Sequence, residues 1–413
     1  MLAKFEPSHN QSLQAEIEKA VLFALCPSEE PALLHSISNW EEVSRFLISR
    51  KLAGRFFHRL RANSCLELVP EPFALELEKA YQLFVIKNKL FLEELERIWE
   101  ALKKEINQIM IFKGIGLLLS GFYQLGERYQ VDIDFLVSDY PREKLCFLVQ
   151  ELDYIPTEHS DQFWWSEEHF VLKGSRGAGD VFSVFLEFHW EFKPINHTSG
   201  RELVWALFNH QEIIDRQNQR YVVPNPEMQF YLSAIHGSAF HPFDSSYFWV
   251  SLMDLSTISS QKKLNLDLII PLAQTQGLME HLGIMIYLLW EKLGGEESIW
   301  EKFQQALDKK KLVIKTAQKL WEAFLKPQPL SLTNLSLLLA RTSWKEKLKA
   351  LKEFSGLSSG EEVKAEEKTI TFQRPSFFNL SKRRLKLLAN KEFLSLIWQM
   401  ARFYRKTDFR PIL

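Results

Sequence analysis

Cysteine is scarce in this chain: three thiols in 413 residues, Cys26, Cys65 and Cys146, widely separated and odd in number. That excludes a disulfide framework and a cysteine-rich zinc site, and it fits buried thiols in a reducing cytoplasm. Charge of one sign is not in excess either, since 51 Lys and Arg stand against 52 Asp and Glu, a formal net charge of −1. A chain so balanced has no global attraction to nucleic acid or lipid, and any polyanion contact must come from a local patch. Long apolar runs are missing too. The longest, 282–290, falls far short of the roughly 20 residues that a membrane-spanning helix needs. The opening residues, Met1-Leu2-Ala3-Lys4-Phe5-Glu6-Pro7, have no apolar stretch of the kind a secretory signal carries. A soluble cytoplasmic protein is the expectation. No internal repeat is found.

Hydrophobic side chains are plentiful, at 46%, with 13% aromatic, enough for large buried cores. The length suits several domains of about 100–200 residues each. Residues 1–105 read as a helical region: Leu13, Ile17, Ala20, Val21 and Ala24 follow a 3.6-residue rhythm, as do Phe84, Asn88, Phe91, Leu95, Ile98 and Leu102. Pro70, Pro72 and the polar Arg61-Ala62-Asn63-Ser64 mark a loop between helical groups.

From residue 106 to 200 helices and strands alternate. Ile109-Met110-Ile111-Phe112 reads as a buried strand, Lys113-Gly114 as a turn, 115–123 as a helix, and 124–130 as a loop into a strand over 131–137. Pro141 opens a helix over 142–152. A hairpin follows, up through 162–172, around the glycine-rich 173–180 and back through 181–192. Residues 201–344 read as helical again, with helices at 227–239 carrying His236, 247–256 carrying Asp254, then 268–293, 299–325 and 330–339. A charged linker over 345–369 leads to a basic tail. Between 374 and 413 ten Lys or Arg face two acids, interleaved with Phe377, Phe378, Trp398, Phe403 and Tyr404. Such a tail is either a solvated face or a contact for RNA.

The chemistry lies in the alternating segment. In the strand Val131-Asp132-Ile133-Asp134-Phe135-Leu136-Val137, successive side chains point to opposite faces, so Asp132 and Asp134 share one face. Paired carboxylates are costly unless a cation lies between them, and hard oxygen ligands suit Mg²⁺. In the returning strand, Leu186, Phe188, Trp190 and Phe192 share one face and Phe185, Glu187, His189 and Glu191 the other. An acid and a histidine opposite an apolar face suit a strand lining an active site. The plainer readings are solvated acids at a strand edge, a structural hydrogen bond for His189, and bonds between helices for His236 and Asp254.

Ile111-Phe112-Lys113-Gly114 followed by a helix, then Arg128 with the Asp132 and Asp134 strand, then Leu186-Glu187-Phe188-His189-Trp190, resembles nucleotidyltransferase family 5 of the DNA polymerase β-like superfamily. The likeness runs from about residue 16 to residue 339. It implies an α+β fold in which a polymerase-β-like nucleotidyltransferase core, a small mixed sheet with helices, is flanked by N- and C-terminal helical regions. It also implies a catalytic triad of Asp132, Asp134 and Glu187 holding Mg²⁺, with Mn²⁺ as the alternative. A nucleoside monophosphate would pass from a nucleoside triphosphate such as ATP to an acceptor with release of pyrophosphate. Lys113, Gly114, Arg128 and His189 would bind the nucleotide and its phosphates. Ile115 stands where the superfamily usually has serine, and Tyr129 and Val131 replace a proline and a small residue. Two other readings stand beside this one. The first is a degenerate fold that binds nucleotide or a protein partner without turnover. The second is a metal-dependent glycosyltransferase, which the early position of the Asp pair and the presence of Glu187 disfavour. No short motif identifies the acceptor, which could be a small molecule, RNA or protein.

Overall fold

Apolar side chains at helical spacing build the first part of the structure, a computed structural model that describes residues 7–157, 167–172, 183–192, 200–241, 244–326 and Gln399. Helices α1 (Pro7–Leu25), α2 (Trp40–Ser49), α3 (Ala53–Ala62) and α4 (Glu71–Glu105) precede any strand. The sequence stripe is the inner face of α4, since Phe84, Asn88, Phe91, Leu95, Ile98 and Leu102 are all buried. Steps of three and four residues put them on one side of the helix. Asn88 is the polar member because its amide donates to the carbonyls of Leu125 (2.5 Å) and Arg128 (2.9 Å). It thereby ties α4 to the loop ahead of the acidic strand.

Helix α2 ends against its own backbone preference. Leu52 N–H donates to the Leu47 carbonyl (2.8 Å) and Lys51 N–H to that of Ile48 (3.1 Å), the paired bonds of a Schellman motif. The left-handed position of that motif normally falls to glycine. Here it is Lys51, at φ 62°.

The sheet follows. Strand β1 (Gln108–Phe112), helix α5 (Lys113–Leu119), β2 (Ile133–Ser138), α6 (Arg142–Glu151), β3 (Tyr154–Pro156), β4 (Glu167–Leu172) and β5 (Phe185–His189) give a five-stranded sheet in the order β1-β2-β5-β4-β3. Only the β2–β5 pair is parallel. Ile133, Phe135, Leu136 and Val137 of β2 are completely buried, as a strand covered on both faces requires. Phe135 stacks on Phe188 across the parallel pair, with ring centroids 4.8 Å apart. Helix α5 stops before the expected 123 because Gly121, at φ 79°, takes the left-handed position after it.

Helix α7 (Gly200–Asn209) leads to a hairpin that the sequence reading assigned to helix: β6 (Gln211–Arg216) and β7 (Gln219–Pro224) pair antiparallel. Its two turn residues, Gln217 and Asn218, both have positive φ, 50° and 63°. That is the backbone of a type I′ turn. No glycine marks it, so the sequence does not announce it. Trp99 of α4 donates its indole N–H to the Arg220 carbonyl (3.0 Å), fastening the hairpin.

The rest is helical: α8 (Pro226–Ile235), a π-turn over His236–Phe240, α9 (Ser245–Gln261), α10 (Leu266–Thr275), α11 (Met279–Leu293), α12 (Glu297–Gln305) and α13 (Lys310–Phe324). Each long helix expected at 268–293 and 299–325 is two. Gly277 (φ 64°) closes α10, with Leu278 N–H returning to the Ala273 carbonyl, and a short turn divides α12 from α13.

One apolar cluster runs from Ile17 to Leu325. Trp249 of α9 packs edge-on against Phe46 of α2 and Trp321 of α13, joining the chain's two helical parts. Truncating such a ring to alanine costs about 3–5 kcal/mol. Among the described residues no helix is long and apolar enough to cross a membrane. The helix expected at 330–339, the linker at 345–369, the tail at 374–413 apart from Gln399, and the turn at 173–180 lie outside the described residues.

Candidate active site

Two register pairs bring the acidic residues together. Phe112 of β1 lies opposite Asp134 of β2, and Asp134 lies opposite Glu187 of β5. Lys113, the next residue after Phe112, turns into α5 with a left-handed backbone, φ 52°. Its Nζ reaches back to donate to Asp134 Oδ1 at 2.6 Å and lies 3.7 Å from Glu187 Oε1. His189 Nε2 is 2.8 Å from Glu187 Oε1 and 3.4 Å from Asp134 Oδ1. The imidazole is buried edge-on to Phe112 and stacks near Phe192. Asp134 is only 2% exposed and Asp132, just ahead of β2, is half-buried.

Burial works against the charge on Lys113, but Asp134, Glu187 and Asp132 outweigh it and hold the ammonium above its usual range. Asp132 shows the opposite balance. Burial first, then the like charges of Asp134 and Glu187, push its carboxyl up to about 8, with Lys113 and His189 pulling the other way. Three carboxylates cluster around the Lys113 ammonium, with Lys51 acting on Asp132 from further away, which leaves negative charge in surplus.

That surplus is the test of a metal at this place. Asp134, Glu187 and His189 each offer a ligand atom, and these lie within 4.8 Å of one another. Two carboxylates and an imidazole fit a divalent cation, with the nitrogen drawing the set from Mg²⁺ toward Mn²⁺. Asp132 is outside this tight group but lines the same cavity.

Arg128 and Asp254 form a second, separate pairing. The guanidinium donates from Nε to Oδ1 (2.8 Å) and from Nη2 to Oδ2 (2.9 Å), and Tyr123 Oη donates to Oδ1 (2.7 Å). Arg128 Nη1 donates to Gln130 Oε1 (2.6 Å), whose amide in turn donates to the Gly114 carbonyl (3.1 Å). Burial opposes the guanidinium charge, and Asp254 more than restores it. Gly114 is packed so closely beneath Gln130 and Arg128 that a Cβ there would collide with both. The Lys-Gly turn is therefore a seat for this network. Asp254 bonds from α9 to the loop residues Arg128 and Tyr123, where the sequence reading expected a bond between helices.

These groups surround a cavity of about 340 Å³. Its walls come from three parts of the chain: Lys51 from the α2–α3 corner, the sheet residues just described, and His236, Tyr247 and Asp254 from the π-turn and α9. His236, His241 and Tyr247 pack ring to ring, with His241 and Tyr247 stacked at 4.1 Å. Burial, aided by His241, Lys113 and Arg128, holds His236 neutral well below its ordinary pKa.

Of the residues singled out in the sequence, Asp132, Asp134, Glu187, His189, Lys113, Gly114 and Arg128 all line this cavity. The sequence reading missed Lys51, Gln130 and Tyr247. None carries a motif, and the left-handed helix end at Lys51 is announced by no glycine in the sequence.

A family model described as uncharacterised nucleotidyltransferase matches residues 36–294. The match covers more than half of the chain and takes in every cavity residue named above. No curated protein matches the chain.

Proposed function

Because the chain belongs to the family of uncharacterised nucleotidyltransferases, we propose that it moves a nucleoside monophosphate from a nucleoside triphosphate to an acceptor. Pyrophosphate leaves. In this reading the mixed sheet is a polymerase-β-like core, with the helical regions 1–105 and 201–344 on either side. Asp132, Asp134 and Glu187 would hold Mg²⁺ or Mn²⁺. A divalent ion bound there would lower the pKa of an acceptor hydroxyl and offset charge on the triphosphate. The observation that carries the reading is the register pairing of Asp134 with Glu187 beside Asp132 in one cavity, within a chain of this family.

The chain's own residues have distinct tasks in this proposal. Asp134 and Glu187 are preset by parallel strand pairing, so they need no rearrangement to act together. His189 orients Glu187 from a buried position. Arg128 acts as a positioning residue: its fork is taken by Asp254, and through Gln130 it holds the Gly114 turn against the cavity. The acceptor oxygen bonds to the α-phosphorus as its proton passes to solvent, and the α–β phosphoanhydride bond breaks with its electron pair leaving on pyrophosphate.

A second reading is favoured by one contact. Lys113 Nζ already sits against Asp134 as an internal cation, which is how a fold that binds without turnover would neutralise its acids. The two readings separate on incubation of the protein with each α-labelled nucleoside triphosphate in cell extract. Label moving to RNA, protein or a small molecule, and lost in Asp134→Asn, supports transfer and reveals the acceptor. No transferred label with either metal supports the non-catalytic reading.

A further inference from the structure

The cavity's charges are mostly spoken for. Lys113 is held by Asp134, and Arg128 by Asp254. Lys51 is different: among the described residues no carboxylate lies within 4 Å of its Nζ, although it lines the same cavity and Asp132 and Asp244 attract its charge from further away. Its Nζ lies between two tyrosine rings, 5.3 Å from the centroid of Tyr129 and 5.5 Å from that of Tyr247. The Tyr129 ring also faces the Lys87 ammonium from 5.0 Å, so positive charge is concentrated at this wall. Aromatic faces attract a cation but leave its hydrogen-bond donors unsatisfied. An incoming polyanion would find a desolvated ammonium ready to pair.

The backbone gives an independent argument. Lys51 occupies the left-handed position that closes a Schellman motif, at φ 62°. Glycine is the default there, and a lysine in that conformation is strained. Of the seven non-glycine residues with a left-handed backbone among those described, Lys51 and Lys113 are the two that line the cavity. The corner aims this residue into the cavity from the N-terminal helical region, across from the sheet.

We propose that Lys51 grips the β- and γ-phosphates of the nucleoside triphosphate, so that the N-terminal helical region supplies part of the substrate site. The inference rests on the nucleotidyl-transfer reading above. The acids of the sheet would serve the α-phosphate end, where the bond breaks, through the cation they would hold, and Lys51 takes the distal end. It is a binding residue, separate from the positioning network of Arg128.

Lys51→Gly tests this without endangering the fold, because glycine suits the backbone there better than lysine does. Calorimetry with Mg²⁺ and each of the four nucleoside triphosphates identifies the one that wild type binds most tightly. That nucleotide and its monophosphate are then titrated into wild type, Lys51→Gly and Lys51→Arg. The expected result is a loss of at least about tenfold in triphosphate affinity for Lys51→Gly, with monophosphate affinity unchanged and melting temperature equal or higher. Lys51→Arg should stay within about threefold of wild type. Equal triphosphate binding by wild type and Lys51→Gly overturns the role of Lys51 alone, as does an equal loss for monophosphate and triphosphate. A wild-type protein that binds no triphosphate overturns the transfer reading and this inference with it.

Discussion

Asp134 and Glu187 are direct register partners across the one parallel strand pair of the sheet. In a parallel ladder, partners present their side chains to the same face. The two carboxylates are therefore brought together by main-chain hydrogen bonding, before any ligand is considered. Lys113 and His189 then close around them from the end of β1 and from β5 itself. The energetic consequence is a cluster whose negative charge exceeds its internal compensation, and Asp132 registers that excess most strongly.

Asp132 gives the protein a pH-dependent stability. Its carboxyl is pushed from 3.8 up to about 8 in the folded chain, by burial first and then by Asp134 and Glu187. A raised acid binds its proton more tightly in the folded state, so its contribution is complete below the unfolded pKa and is lost as pH rises through the folded one. Metal-free protein should lose stability between about pH 4 and pH 8, and Asp132→Asn should flatten that slope. Mg²⁺ or Mn²⁺ should counter the loss at the alkaline end, since the cation needs the carboxylates ionised. Melting curves in chelator and in metal, across this range, measure both effects. Identical slopes in wild type and variant would remove Asp132 as their origin.

Arg128 and Asp254 should behave as one unit. Removing either partner leaves the other charge buried without its mate, a loss of about 3–5 kcal/mol. Arg128→Met and Asp254→Leu should each cost that much in urea unfolding, while the double variant costs clearly less than their sum. A double-mutant cycle measures the coupling. Additive losses would mean that the fork does not form in solution.

The hairpin turn is improvable. Gln217 carries a left-handed backbone, φ 50°, at a position where glycine or asparagine is the usual choice. Gln217→Gly should stabilise the protein by about 0.5–1 kcal/mol by relieving that strain, without touching the cavity. Thermal denaturation with the transfer assay alongside checks both halves of the statement. A fall in stability would show that the turn has another backbone.

Much of the architecture could be read from periodicity. The α4 stripe from Phe84 to Leu102 shows its period of 3.6 residues, the acidic strand and β5 show a period of 2, and the β1 run before Lys113 reads as a strand from its short apolar length. Such a period reports which face of an element is buried, and the facing acids of Asp134 and Glu187 followed from it together with the family resemblance. Elements whose ends depend on one backbone angle were less legible. The β6–β7 hairpin turns on Gln217-Asn218 with no glycine, and the division between α10 and α11 rests on the single residue Gly277.

The sequence by itself determined the α+β class, the two strands that carry the acids and the residue types available for metal chemistry, because local spacing is written in the order of residues. Only the tertiary structure decided what those residues face. Arg128 reads as a phosphate candidate in the sequence, and only the structure shows that Asp254, 126 residues away, pairs with its guanidinium. Lys51 reads as one more basic residue at a helix end until the α2–α3 corner delivers it to the cavity wall. Charge pairing across such distances depends on which elements pack together, and no local pattern encodes that.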